Sequence, residues 1–231
     1  MNTPLVSIVL AVKNGERYLA EAIKSVLAQT FKSYEIIVVD DNSTDNTLNI
    51  INSYSQVGYI FNKGKGTSHA RNVGIDAATG KFIAFQSHDD IWTPDKLSTQ
   101  VDYMAKHPDI QYTIAKMKFF LEDGHSPPSG FRRELLSGNH IGMIPETLLV
   151  RKTLFSKIGK FDPEYDVAED VDWFARANDA NVPMAIIPKI LLHKRIHNTN
   201  KSSNVAKNNL DLLKLLRKSI ERKREQNQEK E

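Results

Sequence analysis

The sequence predicts an α/β fold: a single domain on a mostly parallel, Rossmann-like sheet, with a less regular second half and a C-terminal helix. Three observations predict it. Short Val/Ile-rich runs recur through the first hundred residues. The segments between them carry apolar residues at helical spacing. Each run stops at a polar or acidic turn. With 231 residues, 40% hydrophobic and 26% charged, the chain is large enough to bury a core without staples.

The elements follow in order. Leu5 to Val12 is a buried strand, broken by Asn14-Gly15. Leu19, Ala22, Ile23, Val26 and Leu27 mark a helix with one buried face. Tyr34 to Val39 is a second buried strand. Ser43 or Thr44 is expected to cap a helix running to Tyr54. Strand, helix, strand in this pattern predicts a parallel βαβ unit with a right-handed crossover. Tyr59 to Phe61 predicts a third strand. A Gly/Lys loop, Asn62 to Gly66, leads to a helix over 68–77, and Lys81 to Gln86 to a fourth strand. Pro94 suits an early position of the next helix.

In the second half, Gln111 to Leu121 predicts a strand and Glu122 to Gly138 a polar loop. Ile144 to Val150 predicts a strand, Glu169 to Asp179 a helix, and Met184 to Leu192 a strand. The division is 1–106 and 107–205 as two halves of one domain, with a charged tail over 206–231. In that tail Leu210, Leu213, Leu216 and Ile220 are expected to share one face. That face serves a packed terminal helix, a homodimer or peripheral membrane contact.

Composition excludes several classes. There is no cysteine, hence no disulfide, thiolate zinc site or cysteine nucleophile. No apolar run reaches the ~18 residues of a membrane span, and the N-terminus lacks a signal-peptide pattern. A cytoplasmic protein is the expectation. The net charge is +3. Eight of the 31 Lys/Arg and five of the 28 Asp/Glu lie between Lys207 and Glu231, so the first 206 residues are balanced. No basic face for nucleic acid is expected there.

Five places carry candidate chemistry. Asp40-Asp41 ends a parallel strand, where open α/β sheets bind ligands; a turn-forming Asp explains it equally. Ser87-His88-Asp89-Asp90 ends the fourth strand, and paired acids on a tight loop can hold Mg²⁺ or Mn²⁺. Glu169-Asp170 opens a helix, where acids are also favoured by the dipole. One of these carboxylates suits a general base, and Asp170, Trp173 and Phe174 share a helical face. In His193-Lys194-Arg195-Ile196-His197 the cations suit a diphosphate and His197 a metal. Arg71 and Asn72 follow Lys63 and Lys65, a basic loop before a helix. Without GKS or GKT it is no P-loop.

The order of these blocks carries more than any one of them. VSIVLAVKNGERYLAEAIKSVLAQTFKSYEIIVVDDNSTDNT resembles the opening of the family 2 glycosyltransferases of the GT-A fold. HARNVGIDAATGKFIAFQSHDDIWTPDKL resembles their metal-motif block, KIGKFDPEYDVAEDVDWFARA their acceptor-side block, and KRIHNTNKS their closing segment.

The resemblance implies an inverting transfer of a sugar from a nucleotide diphosphate donor, with UDP the expected base, to a glycan, peptide or small-molecule acceptor. It implies that Asp41 contacts the base with Asp40 behind it, and that Ala11, Val12 and Lys13 lie along the nucleotide. Arg71 and Asn72 face the nucleotide or diphosphate, and Asp89 binds Mn²⁺ or Mg²⁺. Asp170 is the catalytic base; Lys194, Arg195 and His197 approach the diphosphate and metal. Ser87 stands where the family has the first Asp of its Asp-x-Asp motif. It can still bond a ribose hydroxyl, and His88 or Asp90 can compensate. Glu169 and Trp173 are expected beside the substrate. The loop Glu122 to Gly138, with Gly142 to Thr147, is expected to shape the acceptor site. The competing reading is a degenerate glycosyltransferase-like module that binds a nucleotide sugar or a partner without transfer; Ser87 motivates it. A nucleotidyltransferase would need a glycine-rich phosphate loop, of which Lys13 to Arg17 is a poor version.

Overall fold

A computed structural model describes residues 3–122, 124–128, 131–165, 167–198, 200, 211, 214–222 and 224. The first half alternates as predicted: β1 (Val6–Val12), α1 (Leu19–Leu27), β2 (Tyr34–Asp40), α2 (Thr47–Asn52), β3 (Val57–Phe61), α3 (Thr67–Ala77) and β4 (Phe82–Ser87). Then come β5 (Ile91–Trp92), α4 (Lys96–Lys106), β6 (Tyr112–Phe120), β7 (His140–Gly142), β8 (Leu149–Arg151), α5 (Leu154–Ile158), α6 (Glu169–Asp179) and β9 (Met184–Arg195).

One nine-stranded sheet joins both halves in the order β3-β2-β1-β4-β8-β6-β9-β5, with β7 on β6. From β3 to β4 the pairing is all parallel. Beyond β4 it is mixed: β8 is antiparallel to β4 and β6, whereas β6 and β9 are parallel.

The strand period of two splits the core between the sheet's faces. Val6, Ile8 and Leu10 pack with Leu19, Ile23 and Val26 of α1 and Leu97, Val101 and Met104 of α4. Val9, Ile37 and Val39 meet Ala70 and Ile75 of α3, and Phe85 meets Phe155, Phe161 and Trp173. Burying each such side chain is worth roughly 1.5–3 kcal/mol. Gly74 lets α3 lie close on β1, since a Cβ there would sit 2.3 Å from Val9 Cγ1. Helices on opposite faces leave a crevice at the carboxyl ends of β1, β2 and β4.

Several expectations change. Ser43 does not cap α2: its Oγ accepts from the Asn14 N–H at 2.8 Å. The helix starts at Thr47 and ends at Asn52. Of the strand expected over 144–150, only Leu149–Arg151 forms, because Pro145 to Thr147 makes a 3₁₀ turn. A second 3₁₀ turn, Arg133–Leu136, interrupts the long polar loop. Strand β9 continues three residues past Leu192, so Lys194 and Arg195 are strand residues. In the tail Leu215 is buried, while Leu216 and Ile220 are exposed; Leu210 and Leu213 lie outside the described residues. No helix among the described residues is long and apolar enough to cross a membrane.

Candidate active site

A cleft of about 730 Å³ opens at the carboxyl ends of β1 and β4. Ala11, Val12, Lys13 and Asn14 form its floor, and Asp41, Lys65 and Gly66 one wall. Ser87, His88 and Asp89 line the β4 end with Lys194 and Asn200. Glu146, Val167, Glu169 and Asp170 face them.

The Asp41 wall is built by hydrogen bonds. Its carboxylate accepts from Asn62 Nδ2 at 2.7 Å and from the Gly66 N–H at 3.0 Å. Gly66 sits at φ +94°, a conformation that glycine adopts without strain. Behind it Asp40 Oδ1 accepts from the Ser43 N–H at 2.9 Å.

At the β4 end, Asp89 Oδ1 accepts from the Ser87 hydroxyl. Its Oδ2 lies 2.9 Å from His197 Nε2 and 3.4 Å from Asn200 Nδ2. Burial works against its charge. The bonds from His197 and Ser87, with the charge of Lys194, outweigh burial and hold the carboxyl well below the usual range. Lys194 is buried too, yet Asp90, Glu146 and Asp89 around it keep it charged.

Opposite stands an acidic trio around one arginine. Arg71 Nη1 donates to Glu169 Oε1 at 2.7 Å and Nη2 to Glu146 Oε1 at 3.1 Å. Glu146 is held by its backbone: its carbonyl accepts from Trp92 Nε1 at 3.1 Å, and the next carbonyl, of Thr147, accepts from Gln100 Nε2 at 2.9 Å. Asp170, in the first turn of α6, is half-buried. Among the described residues its Oδ1 accepts only its neighbour Val171's N–H, at 2.8 Å. Burial and the charge of Glu169 push its carboxyl up to about 7, with Arg71 pulling the other way. A carboxylate so poised can accept a hydroxyl proton near neutral pH.

The glycosyl transferase family 2 profile matches residues 7–159. The chain belongs to glycosyl transferase family 2. An uncharacterized glycosyltransferase of Rickettsia prowazekii is 34% identical over 223 residues, 90% of this chain and 69% of that protein. One of Methanocaldococcus jannaschii is 31% identical over 215 residues, 86% of this chain and 73% of that one. Among solved structures, S. aureus TarS 1-349 in complex with UDP-GlcNAc matches at TM-score 0.71 and 23% identity, over 87% of this chain and 61% of that one. The mannosyltransferase PcManGT from Pyrobaculum calidifontis, in complex with GDP-Man and Mn²⁺, matches at TM-score 0.72 and 16% identity, over 96% and 65%. These likenesses give the fold, the GT-A type. The chain spans less than two thirds of either solved chain.

In this glycosyltransferase, six residues expected at the substrate or metal do not line the cleft; one is His197, which meets it through Asp89 and lines a smaller adjacent cavity with Asn14 and His88. Asp90 is fully buried, and its carboxylate is taken by Lys194 Nζ at 3.0 Å and the Arg195 N–H at 2.9 Å. It braces β9 and offers no metal a free oxygen. Trp173 is core, at 0% exposure among Tyr112, Phe155 and Phe161. Asn72 clamps Phe161, donating to its carbonyl at 2.7 Å and accepting from its N–H at 3.1 Å. Arg195 turns its guanidinium to Glu21, to Glu122 at 3.0 Å and to the Asp89 carbonyl at 2.9 Å. Asp40 is buried, with its carboxylate on the Ser43 N–H. By sequence Glu146 belongs only to a segment expected to shape the acceptor site; nothing in PETLLV marks it as the partner of Arg71.

The family implies a divalent metal. Among the described residues, no group of three or more His, Asp or Glu side chains is placed to hold a metal ion. Asp89 and His197 nevertheless fit part of such a site. An octahedral ion with ~2.1 Å bonds needs neighbouring ligands about 3 Å apart, and Asp89 Oδ2 and His197 Nε2 are 2.9 Å apart. Asp89 is held in the ionised form a ligand needs. Two protein donors leave positions for phosphate oxygens and water.

Proposed function

We propose that this glycosyltransferase moves a sugar from a nucleoside diphosphate sugar, UDP-linked by our reading, to an acceptor hydroxyl with inversion, Asp170 being the base. The observation that carries the proposal is the placement of Asp170. Its carboxyl, pushed up to about 7, shares one cleft with the ionised Asp89, whose Oδ2 lies 2.9 Å from His197 Nε2.

The donor lies with its base toward Asp41 and its nucleotide along Ala11 to Lys13. Its diphosphate lies toward Ser87, Asp89 and Lys194. The sugar then reaches the Glu146–Glu169–Asp170 side. The acceptor hydroxyl gives its proton to Asp170, and its oxygen bonds the anomeric carbon as the bond to the diphosphate oxygen breaks. Lys194 remains charged and offsets the charge that builds on the leaving diphosphate. Asp89 and His197 would hold Mn²⁺ or Mg²⁺, whose chemistry there is neutralising that same diphosphate. Ser87 keeps a neutral donor beside Asp89 where the family pattern has a second carboxylate. Glu169 and Arg71 set the charge around the base. Ile144 and Glu146 bring the 142–147 segment to the acceptor side.

The test is a thermal-shift panel of UDP, GDP, CDP, ADP and dTDP with and without Mn²⁺. A ligand that binds the native state alone raises the melting temperature by linkage. A Mn²⁺-dependent rise with UDP is the expected result. No rise with any nucleotide at millimolar concentration overturns the donor site and favours a binding module for another partner. Asp170→Asn should keep the UDP shift and lose transfer by about 10²-fold or more. Near-normal turnover in that variant overturns the base assignment.

A further inference from the structure

We propose that the C-terminal segment around Asp211 and 214–222 is a strap that positions the catalytic base, by holding the loop from Asp162 to Ala168 that leads into Glu169 and Asp170. The proposal rests on the reading of Asp170 given above.

The described residues between α5 and α6 form no helix or strand, yet they set where α6 begins. Their first part is tied to the body of the domain. Asn72 clamps Phe161 from both sides, and Arg176 Nη2 donates to the Lys160 carbonyl at 2.7 Å. In their second part Tyr165 and Ala168 are buried, but among the described residues the hydrogen bond to the body is a long one, 3.5 Å from Ser68 Oγ to the Tyr165 carbonyl. The C-terminal segment supplies closer holds. Asp211, 6% exposed, accepts the Val167 N–H on Oδ2 at 3.1 Å. Lys218 Nζ bridges Asp162 at 3.2 Å and Glu164 at 3.1 Å, and lies 5.1 Å from the centroid of the Tyr165 ring.

The same segment grips the far end of α6. Ser219 Oγ donates to Asp179 Oδ2 at 3.0 Å, and Arg222 Nε donates to the same oxygen at 3.1 Å. Leu215 is buried beneath. The strap therefore holds the loop before the helix and the helix's last residue, with Asp170 between them. Val167 lines the cleft with Asp170, three residues ahead of it. A loop that slackens moves the carboxylate relative to the anomeric carbon, and transfer depends steeply on that alignment. No described residue of the strap lines the cleft, so donor affinity stands apart from it.

The experiment uses the full-length chain with Asp211→Ala, Lys218→Ala and Lys218→Arg, and Leu216→Ser on the exposed face as control. Amide exchange is followed over 162–168. Turnover is followed as nucleoside diphosphate release from the nucleotide sugar that gives the thermal shift. We expect faster exchange over 162–168 in both alanine variants, kcat lower by about tenfold, and donor KM within about twofold of the parent. Lys218→Arg should restore both, and Leu216→Ser should change neither. Unchanged exchange in both alanine variants overturns the strap. Faster exchange with unchanged kcat overturns its positioning role, and an equal loss in Leu216→Ser reduces it to general stability. If the parent turns over no nucleotide sugar, the enzymatic reading fails separately, while the exchange at Val167 still decides whether the strap holds the loop.

Discussion

In the proposed mechanism, Asp170 and Arg71 set the chemistry at the scale of single residues. An ordinary aspartate titrates near 4 and is a weak base. Here burial and Glu169 raise the carboxyl to about 7, and Arg71 limits the rise. A base must be ionised to act, so kcat/KM, which reports the free enzyme, should climb about tenfold per pH unit up to about pH 7 and then level. An acidic limb near pH 4 would contradict the assignment. Arg71→Gln removes the group that lowers the Asp170 carboxyl, so the limb should move to higher pH. It also leaves Glu146 and Glu169 buried without their cation, which should cost about 3 kcal/mol in urea denaturation.

Asn72 separates position in a motif from position in space. By resemblance it belongs at the nucleotide; in the structure it spends both ends of its amide on the Phe161 backbone. Removing the amide strands a partly buried N–H and C=O. Asn72→Ala should therefore cost about 2–4 kcal/mol of stability. The UDP shift over the variant's own baseline should be unchanged. A loss of UDP binding with normal stability would return Asn72 to the nucleotide.

At the scale of elements, long periodic segments were legible and short ones were not. Helix α6 spans Glu169–Asp179 as its apolar spacing predicts, and β1, β2 and β4 are placed within a residue or two. The strands β5 and β7 have two and three residues, too few for a period to show. Helix α5 has five, set by packing on β8 and not by a pattern of its own. Strand β9 runs on because Asp90 and β6 supply partners for Lys194 and Arg195, and no local rule in KRIH reports a partner a hundred residues away. The site divides the same way. Asp41, Asp89 and Asp170 end or begin elements, where sequence marks them. Asp90, Trp173 and Arg195 share their motifs but turn inward, and only tertiary packing decides that.

Across the whole molecule, the cleft depends on one sheet that joins both halves, and Arg195 closes that arrangement. It is 4% exposed. Its guanidinium lies 4.6 Å from the ring centroids of both Tyr18 and Phe120. It is paired with Glu21 on α1 and with Glu122 after β6, and bonded to the Asp89 carbonyl. Its partners thus come from the start, the middle and the β4 end of the fold. Only a planar fork makes these contacts together; an ammonium on a flexible stem cannot stack and branch in this way. Arg195→Lys should therefore behave much like Arg195→Ala. Both should lose about 3 kcal/mol or more of stability, since the buried guanidinium's pairing with half-buried Glu122 and two ring stacks go together. Asp89 would lose the bond that fixes its backbone, so the Mn²⁺-dependent part of the UDP shift should shrink more than the Mn²⁺-independent part. Full rescue by lysine would mean that charge alone sufficed, and that the end-to-end closure of the cleft does not run through this side chain.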